Sequence, residues 1–171
     1  MGVANVSAAW EAGCRVFDSA AGGIGARPGV LEVMRAARAA GLRQAIVTTT
    51  SRSNVQALCT RLLGGDWSAV FEVVCCGEDT RCKKPDPEVY LLALQALGLA
   101  PTAALAIEDS TPGVRAAGAA GVPLLLRPSV YFPADELPEG VVGWLCPPDV
   151  PVDLALLRRV HAALGQVTAQ A

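Results

Sequence analysis

Short apolar runs alternate with helical segments along most of this chain, and that alternation constrains the fold more than any other feature of it. Ala45-Ile46-Val47, Val73-Val74-Cys75-Cys76, Leu105-Ala106-Ile107 and the stretch 122–126 are brief and continuously apolar. Runs of that kind suit strands covered on both faces, as in a parallel sheet flanked by helices. The segments between them have helical spacing and clear punctuation. Pro28 opens one with Val30, Leu31 and Met34 on a common face, and Gly41 closes it. Residues 52–63 carry Val55, Leu58, Cys59 and Leu62 ahead of Gly64-Gly65. Asp86-Pro87-Glu88 predicts a helix start: a capping Asp, Pro in the first turn, and an acid near the positive helix end. That helix is expected to reach Leu97 and stop at Gly98, and a shorter one over 112–119 stops at Gly121. Prolines then punctuate residues 128–151, which read as loop, before a last helix over 152–164. The predicted fold class is α/β, a three-layer open parallel sheet.

Composition narrows the function classes. A net charge of −2 over 171 residues offers no basic stripe to displace counterions, which argues against a nucleic-acid surface. No apolar run approaches the roughly 20 residues that span a bilayer, so no membrane partner is expected. The N-terminus lacks the basic start and apolar stretch of a secretory signal. Met1-Gly2 begins like a myristoylation site, but Val6 stands where Ser or Thr is required. The expected setting is the cytoplasm or a plastid stroma. The six cysteines include no C-x-x-C pair, and the single histidine, His161, lies far from them in sequence. The cysteines therefore read as structural, and His161 as a surface residue of the last helix.

In an open parallel sheet, ligands bind beyond the carboxyl ends of the strands. Three polar features fall there. Thr48-Thr49-Thr50-Ser51 follows the 45–47 run, Glu108-Asp109-Ser110 follows the 105–107 run, and Lys83-Lys84-Pro85-Asp86 precedes the helix at Pro87. Hydroxyls and backbone N–H groups at a strand-to-helix turn hold phosphate oxygens, helped by the helix N-terminus. Lysine supplies a compact positive charge for the same oxygens. Adjacent carboxylates offer hard oxygen donors to Mg2+. Each feature alone has a plain alternative, a helix cap or a solvated charge. Their joint placement at one sheet edge is what points to phosphoryl chemistry.

The order Thr48, Lys84-Pro85, Glu108-Asp109-Ser110 resembles motifs two, three and four of the haloacid dehalogenase superfamily. The stretches Arg27-Pro28-Gly29-Val30, Lys83-Lys84-Pro85-Asp86-Pro87 and Ile107-Glu108-Asp109-Ser110-Thr111-Pro112-Gly113 are similar to the branch holding β-phosphoglucomutase and the CbbY-like sugar-phosphate phosphatases. The resemblance covers residues 27–127. It implies a Rossmann-like core in which Thr48 and Thr49 bind the phosphoryl group of a small phosphorylated substrate. It also implies that Lys84 balances charge during catalysis, and that Glu108 and Asp109 position Mg2+.

The resemblance also implies something the chain does not plainly supply. Members of that superfamily begin with an apolar strand ending in Asp-x-Asp-Gly-Thr, the first Asp being the nucleophile and the second the general acid/base. In this branch a helical cap separates that motif from the Arg-Pro-Gly-Val position, and only 26 residues precede Arg27, so a full cap does not fit. Residues 1–26 are thus expected to be a degenerate segment, and 27–171 the core domain. Two readings of residues 8–22 stay open. In one, Arg15-Val16-Phe17-Asp18 is a remnant first strand with Asp18 as nucleophile and Ala20 in the acid/base place; in the other, the segment is the tail of a lost cap. Without a first strand the centre of the sheet is open, a hazard for aggregation. Residues 14–18 would then fill it, the sheet would close up, or self-association or a partner chain would supply the strand. Gly22-Gly23-Ile24-Gly25 is no dinucleotide fingerprint, since Pro28 stands at the third glycine position. The function expected is a Mg2+-dependent phosphohydrolase core for a sugar phosphate, weak or inactive as this chain. The alternatives are a non-catalytic phosphate- or partner-binding remnant, or a fragment of a longer phosphatase.

Overall fold

The apolar runs become strands and the punctuated segments become helices in the computed structural model, which describes residues 6–9, 15–16, 30–128, 136–147 and 149–168. In chain order these are β1 (Val6–Ala9), β2 (Arg15–Val16), α1 (Val30–Ala39), β3 (Gln44–Val47), α2 (Arg52–Leu63), β4 (Val73–Cys75), α3 (Glu88–Leu97), β5 (Ala104–Glu108), α4 (Thr111–Ala119), β6 (Leu124–Leu126), β7 (Gly143–Leu145) and α5 (Leu154–Thr168). The strands form one sheet in the order β4-β3-β1-β5-β6-β7, with β2 paired to β1. β3 and β4 are parallel with Ala45 opposite Val73, and β5, β6 and β7 run parallel with Ile107, Leu125 and Trp144 in register.

The fold is the expected three-layer α/β arrangement. Leu105, Ala106, Leu124, Leu125, Ala45, Ile46 and Val47 are all essentially buried, as strands covered on both faces require. Helix α3 turns Val89, Tyr90, Ala93, Leu94 and Leu97 inward, the spacing of one helical face. It packs on β3 and β4 beside α4, while α5 covers β5, β6 and β7 and touches α1. Small residues let α4 come close. A side chain on Gly118 would run into Val141.

Two strands were hidden in the sequence. β7 lies in the stretch read as loop, and β1 lies in the four small residues Val-Ser-Ala-Ala. β1 takes the central place between β3 and β5, and it runs antiparallel to both, with Val6 opposite Ile46 and Ile107. The centre of the sheet is therefore filled from within the chain by residues 6–9 rather than 14–18. β2 is antiparallel to β1, with Ser7 opposite Val16, and so runs in the direction of β3 and β5. Topology accounts for this: strands joined over a few residues reverse, whereas a crossover through a helix such as α1 brings the next strand back parallel. Asp18, Ala20 and the Arg27-Pro28-Gly29 stretch lie outside the described residues. His161 lies on α5. It is half-buried, and its Nε2 lies 3.1 Å from the Thr102 carbonyl oxygen, tying α5 to the turn before β5.

Candidate active site

The carboxyl end of β3 turns into α2 through its hydroxyl side chains. The Thr48 N–H donates to the Cys75 carbonyl at 2.9 Å, continuing the β3–β4 ladder by one residue. The Thr48 Oγ1 then accepts from the Thr50 N–H at 3.1 Å, and the Ser51 hydroxyl caps α2 by accepting from the Asn54 N–H. The turn is pressed against Gly77, whose N–H donates to the Thr50 carbonyl at 2.8 Å. Any Cβ at Gly77 would overlap the Thr49 carbonyl, so only glycine fits there. Thr48 is wholly buried and Thr49 half-buried. The Glu78 carboxylate receives the Arg52 N–H at the start of α2, where negative charge is favoured. Asp79 accepts from both the Arg52 guanidinium and the Cys76 N–H, which fixes the loop after β4 beside the turn.

Lys84 reaches this edge from the loop that precedes α3. Its Nζ donates to the Val47 carbonyl at 3.0 Å and to Glu108 Oε1 at 2.8 Å. The loop is clasped to the helix it leads into. Glu88 Oε2 accepts the Arg81 and Cys82 N–H groups, Asp86 Oδ1 accepts the Glu88 N–H, and the Asp86 N–H donates to the Lys83 carbonyl. The Lys84–Pro85 peptide bond is cis. Glu108 ends β5, and Asp109 and Ser110 follow it, all three buried. The Ser110 side chain caps α4 by accepting from the Gly113 N–H. The Glu108 carboxylate rests against Gly113 so closely that any Cβ there would collide with it. This places the carboxylate at the positive end of α4.

The edge thus brings Lys84 and Glu108 into direct contact, with Asp109 adjacent and the Thr48–Thr49 turn beginning one residue beyond the carbonyl that Lys84 also holds. Two residues to which sequence reasoning gave no role in the site belong here. The Tyr90 hydroxyl donates to Glu108 Oε1 at 2.5 Å, and its ring lies under the Lys84 ammonium, 4.8 Å from Nζ to the centroid. Gly113 makes the room that the Glu108 carboxylate occupies. A signal for Tyr90 was present in the sequence: a tyrosine on the buried face of a helix needs a partner for its hydroxyl.

The donor set suits a hard divalent cation. Two consecutive carboxylates, one 1% and one 4% exposed, lie at this edge, and the Lys84 ammonium contacts the first. Buried charge is held where it is paired or coordinates metal, and carboxylate oxygens are the ligands that Mg2+ takes. Another group, Cys82, Asp86 and Glu88, also comes together. The hydrogen bonds given above already commit Glu88 and Asp86 to shaping the loop. Cys75 and Cys76, in the strand and loop beside the Thr48–Ser51 turn, are held as thiols, because burial pushes both up to about 11.

Comparison with known proteins agrees with this geometry. The profile of the haloacid dehalogenase-like hydrolases matches residues 6–121. Protein CbbY of Rhodobacter capsulatus is 45% identical over 128 residues, which are 75% of this chain and 56% of that protein. The crystal structure of CbbY from Rhodobacter sphaeroides in complex with phosphate aligns with a TM-score of 0.69 at 38% identity, covering 77% of this chain and 58% of the other. A mutant of that protein, solved in complex with xylulose-(1,5)-bisphosphate, aligns with a TM-score of 0.68 at 38% identity over 75% of this chain and 57% of the other. The chain spans a little over half the length of these relatives. From the matched span, the strand order and the residues gathered at its edge, the chain belongs to the haloacid dehalogenase-like hydrolases.

Proposed function

We propose that this chain is the phosphate- and Mg2+-holding core of a phosphohydrolase acting on a small phosphorylated metabolite, with a phosphorylated sugar as the substrate class. The observation that carries this reading is the Lys84–Glu108–Asp109 grouping at the carboxyl edge of the sheet, next to the Thr48–Thr49 turn. The likeness to CbbY, whose structures hold phosphate and a sugar bisphosphate, supports the substrate class. The Thr48–Thr49 turn and the start of α2 offer hydroxyls and N–H groups to phosphoryl oxygens, and Lys84 offsets their charge. Asp109 and Glu108 would hold Mg2+, which supplies charge neutralisation of the transferring phosphoryl group when bound. The setting we assign is the cytoplasm.

Hydrolysis by the chain alone is proposed to be weak. The strand between β3 and β5 reads Val-Ser-Ala-Ala and carries no acid to attack phosphorus. Loss of a nucleophile costs on the order of 10⁶ in turnover in another enzyme system. A phosphate-binding protein without turnover is the second reading that this strand favours.

Calorimetry with Mg2+ tests the site itself. The chain should bind Mg2+ and Asp109→Ala should not. Equal binding by the two proteins sinks the reading.

A further inference from the structure

We infer that Tyr90 is a positioning residue of the Mg2+ site, acting through Glu108 and Lys84 rather than on substrate. The inference rests on the reading of Glu108 and Asp109 as the cation-holding pair.

The observations come from three sides. Tyr90 is 1% exposed, so its hydroxyl must find its partner inside the protein. That partner is Glu108 Oε1, the same oxygen that Lys84 Nζ approaches at 2.8 Å. The face of the Tyr90 ring meets the Lys84 ammonium, an arrangement that draws a cation toward the ring. One neutral side chain therefore fixes both members of a buried ion pair, the acid by hydrogen bond and the base through the ring. The ring itself has little freedom. Its backbone N–H donates to the Pro87 carbonyl at 2.9 Å, in a first helical turn locked by Asp86 and Glu88.

Such an arrangement does more than satisfy a buried hydroxyl. Oε1 is held by two donors on one side, and Oε2 lies close against Gly113 on the other, which restrains the carboxylate plane. Partners that orient a metal-binding carboxylate typically change metal affinity by about 10–100-fold when removed. A hydroxyl that merely packs would change stability and leave the affinity of the folded protein where it was.

The experiment compares Mg2+ affinity by calorimetry, and thermal stability by circular dichroism, for the wild type, Tyr90→Phe and Asp109→Ala. Phenylalanine keeps the ring, its volume and its contact with Lys84, and removes only the hydroxyl. We expect the Tyr90→Phe protein to be folded and to bind Mg2+ about ten-fold more weakly than the wild type. Unchanged affinity in Tyr90→Phe, with binding lost in Asp109→Ala, overturns the role of Tyr90 and leaves the site standing. Equal binding by the wild type and Asp109→Ala, or none by the wild type, overturns the site and this inference with it.

Discussion

Lys84 Nζ stands 2.8 Å from Glu108 Oε1 with only 7% of the lysine side chain and none of the glutamate exposed to solvent. A pair this deep is expensive to half-remove, because the survivor is left as a buried charge. Lys84→Met should cost about 3–5 kcal/mol of stability. The double variant Lys84→Met/Glu108→Leu should cost clearly less than the single one, since replacing both partners by apolar groups is often near neutral. Urea midpoints of the two variants decide the point. A double variant less stable than Lys84→Met would mean that the pair is held by something other than its own charge balance.

Gly113 and Gly98 separate a steric requirement from a conformational one. Gly98 ends α3 in the left-handed region at φ 65°, with open space where a side chain would stand, so Gly98→Ala should lower stability alone. Gly113→Ala forces a methyl group into the Glu108 carboxylate. It should cost about 1–3 kcal/mol and weaken Mg2+ binding as well. Calorimetry on both variants checks the contrast, and Mg2+ affinity that is intact in Gly113→Ala would contradict it.

The Arg43–Glu72 pair gives the fold a measurable response to acid. The guanidinium meets the Glu72 carboxylate through two nitrogens, at 2.6 and 2.5 Å, and also donates to the Leu97 carbonyl. The hydrogen bond from Arg43 holds Glu72 below its ordinary range. A carboxylate depressed in the folded state stabilises above its unfolded pKa, and that contribution is lost as pH falls through the folded value. Glu72 is half exposed, so the pair is worth at most about 1 kcal/mol. Glu72→Gln should melt a few degrees lower than the wild type at neutral pH, with the difference closing under acid. A gap that widens on acidification would reverse the assignment.

Asp18 is the candidate nucleophile on which a test of activity centres. It follows β2 by two residues in sequence, and β2 runs in the direction of β3 and β5. Little or no phosphate release is expected from a panel of sugar phosphates with Mg2+. Robust turnover that disappears in Asp18→Asn would establish this residue as the nucleophile and the chain as an active phosphatase.

Most of the sheet could be read from the sequence because its strands are continuous apolar runs, as in Leu105–Ile107. β1 and β7 were not legible for the opposite reason. Val-Ser-Ala-Ala is mostly small residues and Gly-Trp-Leu opens on a glycine inside a proline-punctuated stretch, so neither stands out as a continuous apolar run. The site divides in the same way. Lys84, Glu108 and Asp109 stand out because each sits in a compact local pattern at the end of an element. Tyr90 and Gly113 belong to the site only through contact with Glu108, and no spacing rule links Tyr90 to a residue 18 positions away across a strand.

Lys84 joins the last carbonyl of β3 to the last side chain of β5, partners 37 and 24 residues distant from it in the chain. No local stretch of sequence can therefore build this site in advance of the rest. It is complete only when the two halves of the sheet have met. A cation or phosphate that recognises the finished edge binds the native state alone. By mass action it would raise the stability of the whole domain, by about 2.7 kcal/mol at a hundred times its dissociation constant. Occupancy and folding are then two readings of a single equilibrium.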